Sequence, residues 1–181
     1  MDALCFPMHA TPGSLLRGTR QDICGIRLRH AVDTDLDWMR ALYAETREDE
    51  LRAIPWPVDA KRAFLDDQFS LQHRHFVAQF AASDFWVVER DNQPIGRYYV
   101  SRDDPMCIVD VCLVSRARGA GIGTALIADT LDYAQRINRL VVLHVLRDNA
   151  RAANLYRQLG FAVTADTGAH LEMRWSPSAL S

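Results

Sequence analysis

The 181-residue sequence lacks most of the features that mark specialised classes of protein. No apolar run reaches the length of a membrane span, and the N-terminus has no continuous apolar core of the signal-peptide type. The net charge of −2 argues against general nucleic-acid binding. There is no internal repeat and no low-complexity stretch. We therefore expect a soluble globular protein that binds neither nucleic acid nor membrane.

Cysteine and metal-ligand patterns are also scarce. The sequence has four cysteines, Cys5, Cys24, Cys107 and Cys112, and no Cys-x-x-Cys pair. His73 and His75 have no third ligand at metal spacing, so no metal site is predicted. A few scattered cysteines are typical of a reducing compartment, and a cytoplasmic location is the simplest expectation.

The length is that of one domain that can bury its own core. Residues 1–24 contain two prolines and two glycines and show no sustained hydrophobic period, which predicts a flexible leader. The folded domain is predicted to span residues 25–176, and residues 177–181 form a tail.

Hydrophobic periodicity predicts alternating strands and helices in the order βααβββαβαββ. The first predicted elements are a strand at 25–30, a helix from Asp33 or Thr34 to about Thr46, and a helix from about Asp59 to Phe80. A hairpin of strands at 85–90 and 95–100 follows, and then a central strand ending at Val114 and a helix after a glycine turn. The last elements are a strand at 140–145, a helix capped by Asn149, and strands at 161–165 and 170–175.

The most informative stretch runs from Val109 to Thr124. It begins as a short β-branched run, passes through a basic, glycine-rich turn, and opens into an amphipathic helix. Such a junction presents unpaired backbone N–H groups with the helix dipole behind them, and Arg116 and Arg118 add positive charge. The pattern predicts an anion site, and phosphate is the usual anion. The alternative is an ordinary tight turn that caps a helix.

Two familiar phosphate-binding motifs do not fit these glycines. A P-loop needs a Lys directly after them, and none is present. A dinucleotide fingerprint needs three glycines at fixed spacing after an early strand, whereas this turn lies more than a hundred residues into the chain. An NAD- or nucleotide-binding protein is therefore disfavoured.

Two segments resemble a known family. Residues 118–123, Arg-Gly-Ala-Gly-Ile-Gly, are similar to the Arg/Gln-x-x-Gly-x-Gly/Ala loop of the GNAT superfamily of acyl-CoA-dependent N-acetyltransferases. Residues 149–161 match, at each fixed position, the Asn-x-x-Ala-x-x-Leu-Tyr-x-x-x-Gly-Phe signature of the same superfamily. The resemblance is strong from Ile95 to Phe161, weaker over the rest of the chain from Gly25, and absent before that.

The resemblance implies an α/β (α+β) single-domain fold, with a mixed, mostly antiparallel sheet that splays between two strands and is flanked by helices. It also implies acetyl-CoA as the co-substrate. The pantetheine arm is expected to pair with the backbone of Leu113 and Val114 in the gap between the splayed strands. The pyrophosphate is expected to meet the backbone of the turn, which comprises Arg118, Gly119, Ala120, Gly121, Ile122, Gly123 and Thr124.

By the same resemblance, Tyr156 donates a proton to the leaving thiolate. It lies two helical turns after Asn149, so both side chains are expected to point at the cofactor. Two alternatives stay open. Tyr156 packs its ring among the neighbouring leucines, and Asn149 does no more than cap its helix.

Asp110 is the only acid inside the predicted central strand, where an ionisable group needs a reason. We expect it to accept the proton of the amine or to orient a cationic acceptor; the alternative is that it faces solvent. Weaker candidates for the base lie on other strands, at Glu89, Tyr98 and His144.

The acceptor pocket is predicted from less specific signals. An acidic cluster before the Pro-Trp-Pro segment at 55–57 comprises Glu45, Glu48, Asp49 and Glu50. In one interpretation the cluster attracts a cationic amine and Trp56 forms a pocket wall; in the other, the acids are a solvated helix end and Trp56 fills the core. A polar row on the second helix either reads the acceptor or is a plain solvated flank, and consists of Gln68, Gln72, His75 and Gln79.

Taken together, the sequence predicts an N-acetyltransferase that moves an acetyl group from acetyl-CoA to a primary amine of a small molecule or a protein, by direct attack in a ternary complex. The alternative function is a catalytically idle acyl-CoA-binding module that acts through protein interactions. Dimers are common in the superfamily, so a homodimer is one expectation for the oligomeric state, which the sequence leaves open.

Overall fold

The computed structural model describes residues 4–7 and 25–178. Within these ranges the chain forms seven strands and four α-helices in the predicted order. The strands are β1 (Ile26–His30), β2 (Asp84–Arg90), β3 (Gln93–Ser101), β4 (Met106–Leu113), β5 (Val141–Leu146), β6 (Ala162–Asp166) and β7 (His170–Trp175). The helices are α1 (Leu36–Arg52), α2 (Val58–Gln79), α3 (Ile122–Arg136) and α4 (Ala150–Gln158).

The strands form one sheet in the order β1-β2-β3-β4-β5-β7-β6. Every neighbouring pair is antiparallel except β4 and β5, which run parallel. Helix α3 supplies the crossover that a parallel pair requires. The predicted fold class, a mixed and mostly antiparallel sheet flanked by helices, is confirmed.

The sheet divides at the parallel pair. Strands β4 and β5 are paired over three residues each, Met106–Ile108 with Val141–Leu143. Beyond this junction β4 continues to Leu113 and β5 to Leu146, each paired only along its outer edge, with β3 and β7 respectively. The two strands therefore diverge and leave a gap between them, as the resemblance implied.

Helices cover both faces of the sheet, and two adjacent tyrosines show this. The hydroxyl of Tyr98 lies 2.7 Å from Thr130 of α3 on one face. The hydroxyl of Tyr99 donates to the sulfur of Met39 in α1, 3.2 Å away, on the other. Both side chains are fully buried, and each belongs to a separate apolar cluster. Alternation along β3 thus anchors the sheet to both helical layers.

Helix α1 is longer than the sequence predicted. We expected it to end near Thr46, but it continues to Arg52, so the acidic cluster lies on the helix itself. Two pairs three residues apart support the added turns: Arg47 with Glu50 and Arg52 with Asp49, each at 2.7 Å. Leu51 is buried and gives these turns a packed side. The Pro-Trp-Pro segment then separates α1 from α2.

A short piece of the N-terminal segment packs on the folded domain. Phe6 is only 9% exposed and meets the rings of His73 and Phe85 edge-on. Its backbone N–H donates to Asp33 over 2.8 Å. Residues 1–3, 8–24 and 179–181 lie outside the described part of the chain, and the predicted leader, domain and tail limits stay predictions.

None of the helices described here combines the length and apolarity needed to span a bilayer.

Candidate active site

A cleft of about 1000 Å³ opens where β4 and β5 diverge. Ten of the twelve predicted site residues line it: Asp110, Leu113, Arg118, Gly119, Gly121, Ile122, Gly123, Thr124, Asn149 and Tyr156. The other two, Val114 and Ala120, do not. Segments distant in sequence are thus brought to one cavity, with the glycine turn at one end and α1 and α2 at the other.

The glycine turn has the geometry of an anion cradle. Gly119 and Gly121 both have a φ of +77°, a left-handed conformation that side chains disfavour, and Gly121 is the N-cap of α3. A Cβ added at Gly121 or Gly123 would meet nothing within 4 Å, so the turn is open towards the cleft. Unpaired N–H groups at the start of α3, beside the guanidinium groups of Arg118 and Arg151, suit a pyrophosphate.

Along β4, the backbone N–H and C=O groups of successive residues point alternately towards β3 and towards the gap. The N–H of Val114 donates to Ile95 of β3 over 2.9 Å, so it is used within the sheet. In an antiparallel ladder the neighbouring residues direct their polar groups the opposite way, which places those of Val111 and Leu113 towards the gap. The Leu113 carbonyl accepts a hydrogen bond there from Arg118 Nε at 2.8 Å. Val111, which sequence reasoning missed, is therefore better placed than Val114.

Tyr156 is 8% exposed and stands at the cleft with its ring packed edge-on against Phe161, 6.0 Å between centroids. Burial, assisted by the negative charge of Asp110, raises the pKa of Tyr156 to about 12. The hydroxyl consequently keeps its proton at neutral pH and remains a donor. Packing of the ring and donation of a hydrogen bond by the hydroxyl are compatible in this position.

Asn149 does cap its helix. Its side-chain oxygen accepts a hydrogen bond from the backbone N–H of Ala152 at 3.1 Å, and the residue also lines the cleft. The capping interpretation is confirmed, while a contact with the cofactor stays a prediction.

Asp110 is held by a partner that the sequence analysis did not single out. Arg97 Nε donates to Asp110 Oδ2 over 2.7 Å, and Arg97 Nη2 donates to Gln72 Oε1 over 2.7 Å. Arg97 is 3% exposed, and the negative charge of Asp110 keeps its pKa raised despite burial. A register shift in the β3–β4 ladder lies directly before Asp110, which is a common feature beside functional sites.

The weaker base candidates lie elsewhere. Glu89 is bound by Arg27 and Arg29, at 2.6 and 2.7 Å, and these interactions lower the pKa of Glu89 even though it is buried. The Tyr98 hydroxyl lies 2.7 Å from that of Thr130, and His144 is exposed, with Nε2 3.6 Å from the carboxylate of Glu172. None of the three lines the cleft.

The predicted acidic cluster does not assemble at the cleft. Glu50 lines it but is paired with Arg47, whereas Glu48 and Asp49 do not reach it. Glu45 accepts a hydrogen bond from the N–H of Ser115, and hydrogen bonding by Ser115 lowers the pKa of Glu45. A solvated helix end is the better description, because each of these acids is exposed.

Trp56 and the polar row of α2 were also predicted near the acceptor. Trp56 is 45% exposed, packs edge-on against Phe64 and does not line the cleft, so neither interpretation of it was correct. Of the polar row, Gln72 alone lines the cleft, while His75 and Gln79 face solvent.

The comparisons with known proteins agree with this geometry. The family model described as Acetyltransferase (GNAT) family matches residues 39–161, which is more than half of the chain. The chain belongs to the GNAT acetyltransferase family. Acetyl-CoA is the acyl donor of this family, and the open glycine turn fits its pyrophosphate. No curated protein matches the chain significantly.

Solved structures of GNAT proteins share its fold. The PaiA N-acetyltransferase of Thermoplasma acidophilum, in complex with coenzyme A, is 16% identical with a TM-score of 0.63, over 83% of this chain and 98% of that one. A histone acetyltransferase HPA2-related protein of Corynebacterium glutamicum is 24% identical with a TM-score of 0.60, over 87% and 98%. Spermidine N-acetyltransferase of Vibrio cholerae, with coenzyme A and spermine, is 20% identical with a TM-score of 0.56, over 84% and 96%.

Proposed function

We propose that this GNAT protein transfers the acetyl group of acetyl-CoA to a primary amine of a small molecule or a protein, by direct attack in a ternary complex. The observation that carries the proposal is the single cleft that holds the phosphate turn, Asp110 and Tyr156 together. The names of structural neighbours, several of them N-acetyltransferases, support an amine as acceptor. No feature of the described residues favours an idle acyl-CoA-binding module. A homodimer and a cytoplasmic location belong to the same proposal.

In this proposal acetyl-CoA supplies an activated thioester. The turn from Arg118 to Thr124 binds the pyrophosphate through backbone N–H groups, with Arg151 as an added cation. The backbone of Val111 and Leu113 takes the pantetheine arm as an added strand would be taken. Asn149 lies along the same wall, next to its own helix start.

The protonation state of Cys112 favours direct attack by the amine over a mechanism with an acetyl-cysteine intermediate. Cys112 lines it, and burial, followed by the negative charge of Asp110, raises the pKa of Cys112 to about 12. The thiolate is the nucleophilic form of cysteine, and at neutral pH this one stays protonated. A covalent acetyl-cysteine at this position is therefore disfavoured, and the amine itself is the nucleophile.

Asp110 holds the amine in our proposal. Arg97 occupies Oδ2, which leaves Oδ1 without a hydrogen bond to any described residue and free to accept one from the nitrogen. The attacking species is the neutral amine, formed when the ammonium ion releases one proton to solvent. From that point one proton moves from the nitrogen to the departing sulfur, as the carbon–nitrogen bond forms and the carbon–sulfur bond breaks. Asp110 orients the nitrogen for this exchange.

Tyr156 assists the departing sulfur by donating a hydrogen bond. A phenol with a pKa of about 12 is a weaker acid than a thiol, whose ordinary pKa is about 8.5. Complete proton transfer to the thiolate would thus be uphill by about 5 kcal/mol. A charge-assisted hydrogen bond, with the final proton coming from the amine, fits these values better.

The test is a screen of amines with acetyl-CoA that follows free thiol release and identifies the product by mass spectrometry. We expect thiol release to depend on the amine and the product to gain one acetyl group on nitrogen. If acetyl-CoA binds by calorimetry yet no amine accelerates thiol release, the idle-module alternative replaces this proposal.

A further inference from the structure

The acceptor end of the cleft carries balanced charge. The charged side chains that line it there are Arg47, Glu50, Arg97 and Asp110. They form two ion pairs, Arg47 with Glu50 and Arg97 with Asp110, both at 2.7 Å. A site for a polycation would present carboxylates in excess of guanidinium groups. Here each carboxylate is already matched, so several positive charges on one acceptor would meet no surplus of negative charge.

Arg97 keeps hydrogen-bond donors in reserve. Its bonds to Asp110 and Gln72 use one N–H on Nε and one on Nη2, so both N–H groups of Nη1 have no partner among the residues described. Nη1 is not sealed from solvent, and Arg97 lines the cleft. The side chain is otherwise 3% exposed and packs over the ring of Tyr99 at 5.5 Å. These donors therefore face the cleft.

Gln72 adds to this set of donors. Its Oε1 accepts from Arg97 Nη2, which fixes the amide so that Nε2 is the free end. Gln72 lines the cleft, and Nε2 makes no hydrogen bond within the described chain. A buried guanidinium and an amide with unused N–H groups are matched best by an oxygen with lone pairs, such as a carboxylate or a carbonyl.

The Arg97–Asp110 ion pair also offers a hydrogen-bond acceptor a few ångströms from these donors. Asp110 Oδ1 accepts hydrogen bonds, whereas Arg97 and Gln72 donate them. The salt bridge keeps the acceptor and the donors close together, since Arg97 Nε and Asp110 Oδ2 are 2.7 Å apart. An acceptor that satisfies both has an amino group and an oxygen acceptor separated by very few bonds.

We propose that the acceptor is a 2-aminoacyl unit, in which the reacting amine and a carboxylate or carbonyl oxygen are carried on adjacent carbons. Asp110 takes the amine, and Arg97 with Gln72 takes the oxygen. This inference rests on the proposed acetyltransferase function and narrows its substrate class. The unit occurs in a free amino acid and at the N-terminus of a peptide, which share this chemistry.

The test compares matched acceptors with the intact protein and saturating acetyl-CoA. Leucine and the dipeptide leucyl-glycine carry the unit; 3-methylbutylamine is leucine without its carboxylate; spermidine is the polycation. Phenylalanine and phenethylamine form a second matched pair. We expect kcat/KM for leucine or leucyl-glycine to exceed that for 3-methylbutylamine by at least about tenfold, the usual worth of a hydrogen bond to a charged group. Preference for leucine identifies a free amino acid, and preference for leucyl-glycine a peptide terminus.

Arg97→Lys provides a second measurement, since it keeps the charge but loses the planar fork. We expect it to lower kcat/KM for the 2-aminoacyl acceptor about tenfold more than for the matched simple amine, mainly through KM, because the altered contact with Asp110 affects both acceptors and the lost fork affects only the first. Arg47→Lys, at the neighbouring pair, is the control and should leave the ratio between the two acceptors unchanged.

Equal or better use of 3-methylbutylamine or spermidine by the unaltered protein overturns the inference while the acetyltransferase function stands. Failure of every amine, with acetyl-CoA still bound, overturns both. These outcomes need no variant, so a folding defect in Arg97→Lys would not obscure them.

Discussion

The carboxylate of Glu45 accepts a hydrogen bond from the backbone N–H of Ser115, 2.5 Å away and 70 positions along the chain. Glu45 belongs to α1, and Ser115 opens the turn that follows β4. The bond ties the helix that borders the acceptor end to the turn proposed to bind phosphate. The bond thus links the two ends of the cleft directly, which favours a constant distance between the sites proposed for the two substrates.

The first prediction concerns the hydroxyl of Tyr156. Tyr156→Phe keeps the ring and its contact with Phe161 but removes the donor. We expect turnover to fall by about 10²-fold, the usual loss when one hydrogen-bond donor to developing negative charge is removed, with little change in acetyl-CoA affinity or stability. The unaltered protein should show no alkaline loss of rate from this group until the pH approaches its pKa of about 12. Single-turnover thiol release with the best amine measures the effect.

Tyr133→Phe is the matched control, because Tyr133 lies in α3 outside the cleft lining. It should behave as the parent does. A parent-like rate for Tyr156→Phe in a chemistry-limited assay would make Tyr156 a packing residue. Loss of acetyl-CoA affinity together with the rate would mean that the hydroxyl holds the cofactor instead.

The second prediction concerns Gly123, which lies in the glycine turn proposed to bind the pyrophosphate and can be substituted without straining the backbone. Gly121 has a φ of +77°, so any side chain there strains the backbone, whereas Gly123 lies within the first turn of α3 and has open space at its Cβ position. Gly123→Val should leave the free energy of unfolding unchanged or raise it by a few tenths of a kcal/mol, since glycine is a poor helix former. Affinity for coenzyme A should fall at least about tenfold, because the branched side chain enters the anion's space.

Calorimetric titration and thermal denaturation on the same sample separate the two effects. Ala63→Val, on the exposed face of α2, is the control for adding a branched side chain to a helix. Unchanged coenzyme A affinity in folded Gly123→Val would exclude the turn as the pyrophosphate site.

The third prediction concerns acid stability. His73 is 1% exposed, and its ring stacks on that of Phe69. Burial, reinforced by the positive charge of Arg97, lowers the pKa of His73 to about 4. The unfolded chain, with an ordinary histidine pKa near 6.5, therefore binds more protons between about pH 6.5 and 4. The free energy of unfolding should fall as the pH falls through that window.

Urea unfolding of the parent and His73→Leu at pH 7.5, 5.5 and 4.5 tests this. The variant should lose less stability on acidification than the parent. His75→Gln, two residues further on the exposed side of α2, should keep the parent's pH dependence. Parallel pH profiles for the parent and His73→Leu would show that the imidazole titrates normally in the folded protein.

The local parts of the fold and of the candidate site could be predicted from the sequence. The glycine turn and the segment from Asn149 to Phe161 are short, and their chemistry depends on neighbours a few residues away. Glycines with positive φ, an Asn cap and an apolar return contact are visible in a linear pattern. Asp110 stood out for a related reason, because an acid in an apolar strand conflicts with its surroundings.

The missed parts depend on contacts between distant segments. Arg97 looked like an ordinary polar position in β3, and its role depends on Asp110 across the ladder and on Gln72 from α2. The opposite charges on two successive strands were the available signal. The sequence analysis ended α1 too early because it gave most weight to the Pro-Trp-Pro segment. The last turns of the helix are in fact supported by two ion pairs and by the burial of Leu51.

The three-residue junction between β4 and β5 has a mechanical consequence. The sheet has two plates, β1 to β4 and β5 to β7, which share only this narrow seam, so we expect the angle between them to change more easily than the geometry within either plate. A molecule lodged in the wedge spans both plates and selects one angle. By reciprocity, any change that favours that angle tightens binding by the same factor. Residues at the seam, Ile108 and Leu143 among them, would then tune affinity without touching the ligand.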